Sequence, residues 1–303
     1  MKKIYPLLFF CCSILILPSC SFKSIALNIT ADLFEEGQSA FEEEGDLQLA
    51  EQSMGANLKV LEALLKSSPD HEGLLVLLSK SYGGYSFAFI EDAYDELKTE
   101  NETKSSFHKE RASRFYLRAR DFSFKVLKED ADFKHALQKD FSTFEKSLEG
   151  FDREDVPALF WTAYNWGNWI NLNLHSPAAI ADAPRVERLM NRVLNLDENY
   201  FFAGSHIFYG VYYGGRPSML GGNPSKARNH FEKALKLTKR KILITQVLYA
   251  QYYALPTGNE ELFEGLLGEV IKADDQIYPE QNLITQIAKK KARRLLARKS
   301  DLF

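Results

Sequence analysis

The residues of this chain best equipped for molecular recognition are the aromatic and amide groups crowded into the segment Ala158-Leu-Phe-Trp-Thr-Ala-Tyr-Asn-Trp-Gly-Asn-Trp-Ile170. On a helix, Ala163, Gly167, Ile170 and Leu174 fall on one narrow stripe of small and apolar side chains, suited to close contact with a second helix. Trp161, Asn165, Asn168 and Leu172 fall opposite, flanked by Tyr164 and Trp169. If the small stripe packs inward, the opposite side faces either solvent or a cavity, and amides beside aromatics suit a pocket for a partly polar organic ligand. The alternative is a second layer of core in which the asparagines are capped or bonded to water. A further aromatic group, Phe201, Phe202, Phe208, Tyr209, Tyr212 and Tyr213, runs into Gly214-Gly-Arg-Pro217. Arg216 there is either an exposed loop side chain or a planar, bidentate partner for a ligand carboxylate. The candidate cavity lining is therefore Trp161, Tyr164, Asn165, Asn168, Trp169, Tyr209, Tyr213 and Arg216.

Templates for bond-making chemistry fail. His71, His108, His135, His175, His206 and His230 are scattered, with no pair at metal-ligand spacing and no cysteine partner. No metal and no cofactor are expected. Gly221-Gly-Asn-Pro-Ser-Lys226 resembles a phosphate-binding loop superficially, but it lacks the Gly-Lys-Ser/Thr ending and follows a helix instead of a strand. Carboxylates are numerous, yet a catalytic pair needs one acid held protonated by its pocket, which spacing does not show. No catalytic residue is assigned, and the expectation is a protein that is not an enzyme.

The elements that must position these groups are helical. Ala227-x3-Phe231-x2-Ala234 matches the second helix of a tetratricopeptide repeat, with Pro224 suited to the first turn and Gly221 and Gly222 permitting a tight loop before it. Leu75-x2-Leu78-Ser79-x2-Tyr82 matches the first-helix template, with Leu for Trp and Ser for Gly. Looser versions end at Trp166, Tyr212 and Tyr252, and Ala112-x3-Tyr116-x2-Ala119 marks a second-type helix between Tyr82 and Trp166. These spacings exceed the consensus period of about 34 residues, so elongated helices or inserted loops are expected. Breaks are predicted at Glu100–Ser106, Glu149–Pro157 and Ser176–Pro184, and no strand alternation of useful length occurs. The basic run Lys289–Arg294 reads as the polar outer face of a terminal capping helix, with contact to anionic lipid as the alternative. The predicted fold is all-α, a tetratricopeptide-like array of helical hairpins over residues 33–303.

A chain of 303 residues with 45% hydrophobic content has ample material for a core. Residues 1–19 read as an export signal: Lys2 and Lys3, then the apolar run Ile4–Leu17, then Leu17-Pro-Ser-Cys20. A small residue before a cysteine at this point resembles the bacterial lipobox, in which the cysteine is lipidated, and residues 20–32 then form a tether. Pro18 departs from the usual pattern, and a plain secretory signal or a membrane anchor is the alternative. The remaining cysteines, Cys11 and Cys12, lie inside the signal, so the mature chain has no disulfide. Cleavage before Cys20 removes two lysines and makes the formal charge of −3 more negative, which argues against a nucleic-acid partner. Ser21 and Phe22 provide no acidic retention signal, which favours the outer membrane, facing the periplasm.

With the lipobox, the Trp161–Trp169 helix and Leu220-Gly-Gly-Asn-Pro-Ser-Lys-Ala-Arg-Asn-His-Phe231 in hand, the chain from about Ala40 to Ala288 resembles the T-component family. These are tetratricopeptide-like lipoproteins of tripartite ATP-independent periplasmic (TRAP) transporters. The resemblance implies a lipid-anchored helical array that binds the solute-receptor (P-component) protein, oligomerises around a pore, and hands small organic ligands to the receptor. It assigns no catalytic residues and does not name the ligand. The alternative is an outer-membrane assembly scaffold that binds proteins only, with its aromatics as core. An enzyme acting on cell-wall glycans is the third reading.

Overall fold

Seven of the described α-helices start on a side chain that caps them. Asp46 accepts hydrogen bonds from the amides of Gln48 and Leu49 at 2.9 and 3.1 Å. Asn101, Asp130, Asp140, Asn223 and Asn259 each accept from the amide three residues on, at 2.7 to 3.0 Å. The structure, a computed structural model, describes residues 33–34 and 36–303, and none of these is in a strand. The expected signal (1–19), Cys20 and the tether (20–32) lie outside the described residues.

The chain runs through α1 (Gln38–Glu42), α2 (Leu47–Ser67), α3 (Glu72–Tyr85), α4 (Glu91–Leu97), α5 (Glu102–Leu127), α6 (Ala131–Ala136), α7 (Phe141–Ser147) and α8 (Val156–Leu172). It continues through α9 (Pro177–Leu196), α10 (Tyr200–Gly214), α11 (Pro224–Leu237), α12 (Ile244–Tyr249), α13 (Glu260–Lys272), α14 (Asn282–Ala297) and α15 (Lys299–Leu302). Wide π-helical turns at Ser86–Ile90 and Ala250–Ala254 interrupt the line of α3 into α4 and extend α12. The all-α expectation holds, and neighbouring helices pack as hairpins: α2 on α3, α3 on α5, α5 on α8, α8 on α9, α10 on α11, and α13 on α14.

The repeat signature in α11 works as its residue types require. Ala227, Phe231 and Ala234 are fully buried, and α10 meets them with Gly210, where an added Cβ would lie 2.7 Å from the Phe231 ring. Gly221, just before this helix, holds φ at +88°, a left-handed value that a side chain resists.

The two ends of the array meet. α14 returns to pack on α1 and α2, and Gln281, just before it, donates to Glu42 Oε2 at 2.7 Å across 239 residues of chain. Asp92 of α4 is 2% exposed and receives Lys290, Lys291 and Arg294 of α14 at 2.8, 3.0 and 2.7 Å. Burial alone would raise its pKa, but Lys291 and Arg294 overturn that and hold the carboxyl well below the usual carboxylate range. The basic run is therefore only in part the outward polar face expected of a cap: Lys290 and Arg293 are exposed. Lys289 and Lys291 are each 5% exposed, with Lys289 bonded to Asp275 and to the Ala273 carbonyl.

Two predicted breaks are shorter in the structure. α5 starts at Glu102 on its Asn101 cap, and α9 starts at Pro177 and continues through Pro184. An interior proline forfeits a helix bond and disfavours the turn before it. Ala179, Ala183, Val186, Leu189, Met190 and Val193 bury one face of α9, and that burial outweighs the loss.

Candidate functional site

Closing the array leaves a cavity of about 220 Å³ among its helices. α8 contributes one face at helical spacing: Phe160, Trp161, Tyr164, Gly167, Asn168 and Asn171. α10 faces it with Gly204, Ile207, Phe208, Val211 and Tyr212, followed by Arg216. α3 adds Lys80, Ser81 and Gly84, and Ile244 and Leu248 of α12 with Leu283, Ile284 and Ile287 of α14 complete an apolar wall. Both π-helical turns open onto this space, presenting Phe87 and Ala88 from one and Tyr252 from the other, with Glu91 directly after the first. Such turns rotate the residues beyond them relative to a regular helix, and they recur at functional sites.

At one edge the cavity shares Glu42, Lys80, Phe201, Phe202 and Ile242 with a shallower outer depression that Asn199, Lys239 and Lys241 also line. Phe201, Phe202 and Ala203 occupy three successive left-handed conformations, with φ of 45°, 59° and 60°. Each non-glycine residue there costs on the order of 1–2 kcal/mol. The turn brings the Phe201 ring edge-on to Trp161 at 4.7 Å and Phe202 edge-on to Tyr278 at 5.8 Å, so this aromatic contact helps hold the strained backbone. Lys80 spans the same edge, 2.6 Å from Glu42 and 5.7 Å from the centre of the Phe201 ring.

Arg216 is the cation at the other polar position. It is 9% exposed, donates to the Tyr212 carbonyl at 3.3 Å, and stacks its guanidinium 3.7 Å from the centre of the Tyr212 ring. No described carboxylate lies within ion-pair distance of it, and burial holds its pKa below the ordinary arginine value. The glycines around it allow this placement. An added Cβ at Gly214 would lie 2.1 Å from the Tyr252 carbonyl oxygen, and one at Gly222 would lie 1.9 Å from that of Arg216.

Of the residues proposed from sequence, the structure brings Trp161, Tyr164, Asn168 and Arg216 together around this cavity. Asn165 sits elsewhere, fully buried between α8 and α3, donating to the carbonyl and hydroxyl of Ser79 and to the Trp161 carbonyl. Trp169 packs between two core clusters. Tyr209 and Tyr213 stack with His230 at 4.9 and 5.9 Å, and the Tyr209 hydroxyl donates to the Glu187 carbonyl. Sequence reasoning missed Glu91, Tyr252 and the α14 leucine and isoleucines, because helices far apart in sequence bring them in.

It also missed the pairing of His206 on α10 with His230 on α11, whose Nδ1 atoms lie 2.9 Å apart. One of these nitrogens carries the hydrogen and the other accepts it, so charging both rings places two donors face to face. Among the described residues, no cluster of three or more histidine, cysteine and acidic side chains is arranged to hold a metal. Burial, then the neighbouring His206, pushes His230 down to about 4. Burial lowers His206 as well, against a partial offset from Glu198. A depressed histidine pKa means the unfolded chain binds the proton more readily. Stability is therefore complete above about pH 6.5 and is lost as pH falls towards 4. Between pH 7.5 and 4.5, denaturant melts of His230→Phe should lose roughly 2 kcal/mol less than the parent chain. Equal losses in the two proteins would remove the pair from the acid response.

Comparison with known proteins places this architecture. The family model of the TRAP transporter T-component matches residues 43–303. The chain belongs to the TRAP transporter T-component family. Membership makes it an accessory component of TRAP transport, and T-components are not a known class of enzyme. An uncharacterized protein of Treponema pallidum (strain Nichols) is similar to this T-component, 26% identical over 318 residues and covering 97% of each chain. Among the described residues of this T-component, no helix is long and apolar enough to cross a membrane.

Proposed function

We propose that this T-component is a periplasmic protein, lipid-anchored through Cys20 to the outer membrane. In this reading it binds the solute-receptor protein of its TRAP system and holds a small organic anion in its cavity. The observation that carries the ligand half is Arg216. A guanidinium cannot shed its charge as a buried lysine can, and burying it with no carboxylate at ion-pair distance, Glu187 acting only from farther away, is costly. The Tyr212 ring and carbonyl offset part of that cost, and a ligand carboxylate supplies the remainder when bound. The largely apolar remainder of the lining, from Phe160 and Trp161 to Ile287, suits a hydrocarbon body.

The test is calorimetric titration of the purified mature chain with octanoate, decanoate and dodecanoate, together with co-elution of the chain with its solute-receptor protein on size exclusion. Saturable binding of at least one fatty acid and a co-eluting complex are expected. A complex without fatty-acid binding would reduce the protein to a scaffold that binds proteins only. Absence of both fatty-acid binding and a receptor complex would overturn the proposal.

A further inference from the structure

Arg216 is not the only polar group of the cavity whose bonding capacity the described residues fill only in part. Glu91 opens α4 directly after the Ser86–Ile90 turn and lines the same cavity. Its Oε2 accepts the hydroxyl hydrogen of Tyr116 from α5, and its Oε1 accepts from no described residue. The cation closest in influence, Lys291 of α14, is committed to Asp92 at 3.0 Å and lies over the Phe87 ring. Lys290 and Arg294 are likewise committed to Asp92. The other groups facing Glu91 do not neutralise it. Asp92 and Asp95 on its own helix repel its charge, and the Tyr164 and Tyr252 phenols stay protonated because burial, then Glu91 itself, raises their pKa. One oxygen of a carboxyl group thus faces a largely apolar cavity with no described side chain or backbone donor on it, in the same cavity as a guanidinium with no described carboxylate at ion-pair distance.

We propose that Glu91 is a specificity-determining residue of this cavity. The ligand it selects is an apolar chain with an anionic group at one end and a hydrogen-bond donor, ammonium or hydroxyl, at the other. The proposal rests on the reading of Arg216 as the anion's partner. A plain fatty acid satisfies Arg216 but sets a methyl group against Glu91 Oε1, leaving a buried polar atom unpaired. A terminal donor removes that mismatch, and a site built to bond a polar group discriminates strongly against analogues that lack it.

Burial, then the Asp95 charge, pushes the Glu91 carboxyl up to about 7. An ammonium terminus is accordingly favoured most above neutrality, where Glu91 is ionised, and the preference declines as the group takes a proton below pH 7.

The experiment compares fatty acids with ω-amino acids of equal chain length, 8-aminooctanoate to 12-aminododecanoate, by calorimetry at pH 8 and pH 6. For one chain length, the ω-amino acid should bind about tenfold more tightly than its fatty acid at pH 8, with a smaller advantage at pH 6. Glu91→Gln should lose the pH dependence and most of the advantage. Tyr116→Phe gives an independent reading. It removes the donor that favours the ionised carboxyl, and the midpoint at which the advantage appears should move to higher pH. Fatty acids that bind through Arg216, with no ω-amino advantage or with one that Glu91→Gln retains, would overturn this inference and leave the proposed function standing. No binding of either series would overturn both.

Discussion

Arg216→Gln should bind dodecanoate on the order of 100-fold more weakly than the parent chain, while unfolding at a higher temperature without ligand. The two effects have one origin. In the free protein the guanidinium is 9% exposed and has a ring face and one carbonyl for company, with Glu187 acting on it only from beyond ion-pair distance. Glutamine removes the uncompensated charge and can still donate to the Tyr212 carbonyl, so the free fold gains about 1 kcal/mol, or a few degrees in Tm for a chain of this size. In the bound state the same change strands the ligand carboxylate in an apolar cavity, which costs about 3 kcal/mol. Arg216→Lys separates charge from geometry: it keeps the cation but loses the planar fork and the stacking on Tyr212, and its affinity should fall between the other two. Calorimetry with dodecanoate and thermal melts of the three proteins check this. A glutamine variant that is less stable and binds equally well would make Arg216 a structural residue.

What the sequence disclosed of this site follows from the range of the interactions involved. Local patterns were legible. Asn223 with Pro224 marked the start of α11, and Ala227, Phe231 and Ala234 marked its buried face. The Trp161–Asn168 stretch marked a helix with two distinct sides, and its Trp161, Tyr164 and Asn168 do line the cavity. Asn165, on the same predicted stripe, does not, because α3 approaches α8 closely enough at Gly83 to take its amide. Closure of the array was not legible, since Glu42 with Gln281 and Asp92 with Lys291 are charge and amide pairs that many surface residues would mimic. For that reason the basic run at the end of α14 read as a solvated face, and Glu91 passed as one acid among many. The left-handed turn at Phe201–Ala203 had no glycine to announce it, because tertiary contacts with Trp161 and Tyr278 hold it instead.

Two adjacent glycines on α3 give a sharper test of whether the cavity is the binding site. An added Cβ at Gly83 would lie 2.1 Å from Asn165 Oδ1, and Asn165 cannot yield, since its amide nitrogen is bonded to Ser79 Oγ at 3.0 Å and to the Trp161 carbonyl at 2.8 Å. Gly83→Ala therefore forces apart two helices that pack closely around a buried amide, and should cost about 2–3 kcal/mol. At Gly84, one position on, an added Cβ meets no atom within 4 Å, and the residue lines the cavity. Gly84→Ala should stabilise the helix by about 0.5–1 kcal/mol through the lost backbone freedom of glycine. Gly84→Leu should fold at least as well as the parent chain, because its side chain enters largely apolar space, yet bind dodecanoate at least about tenfold more weakly, because ligand and leucine compete for the same volume. Melts and titrations of the three variants separate packing from occupancy. If Gly84→Leu folds and keeps full affinity, the ligand binds elsewhere; if it unfolds, the space beside Gly84 is not open. Only a stable protein that has lost its ligand fits a cavity built to be filled from outside.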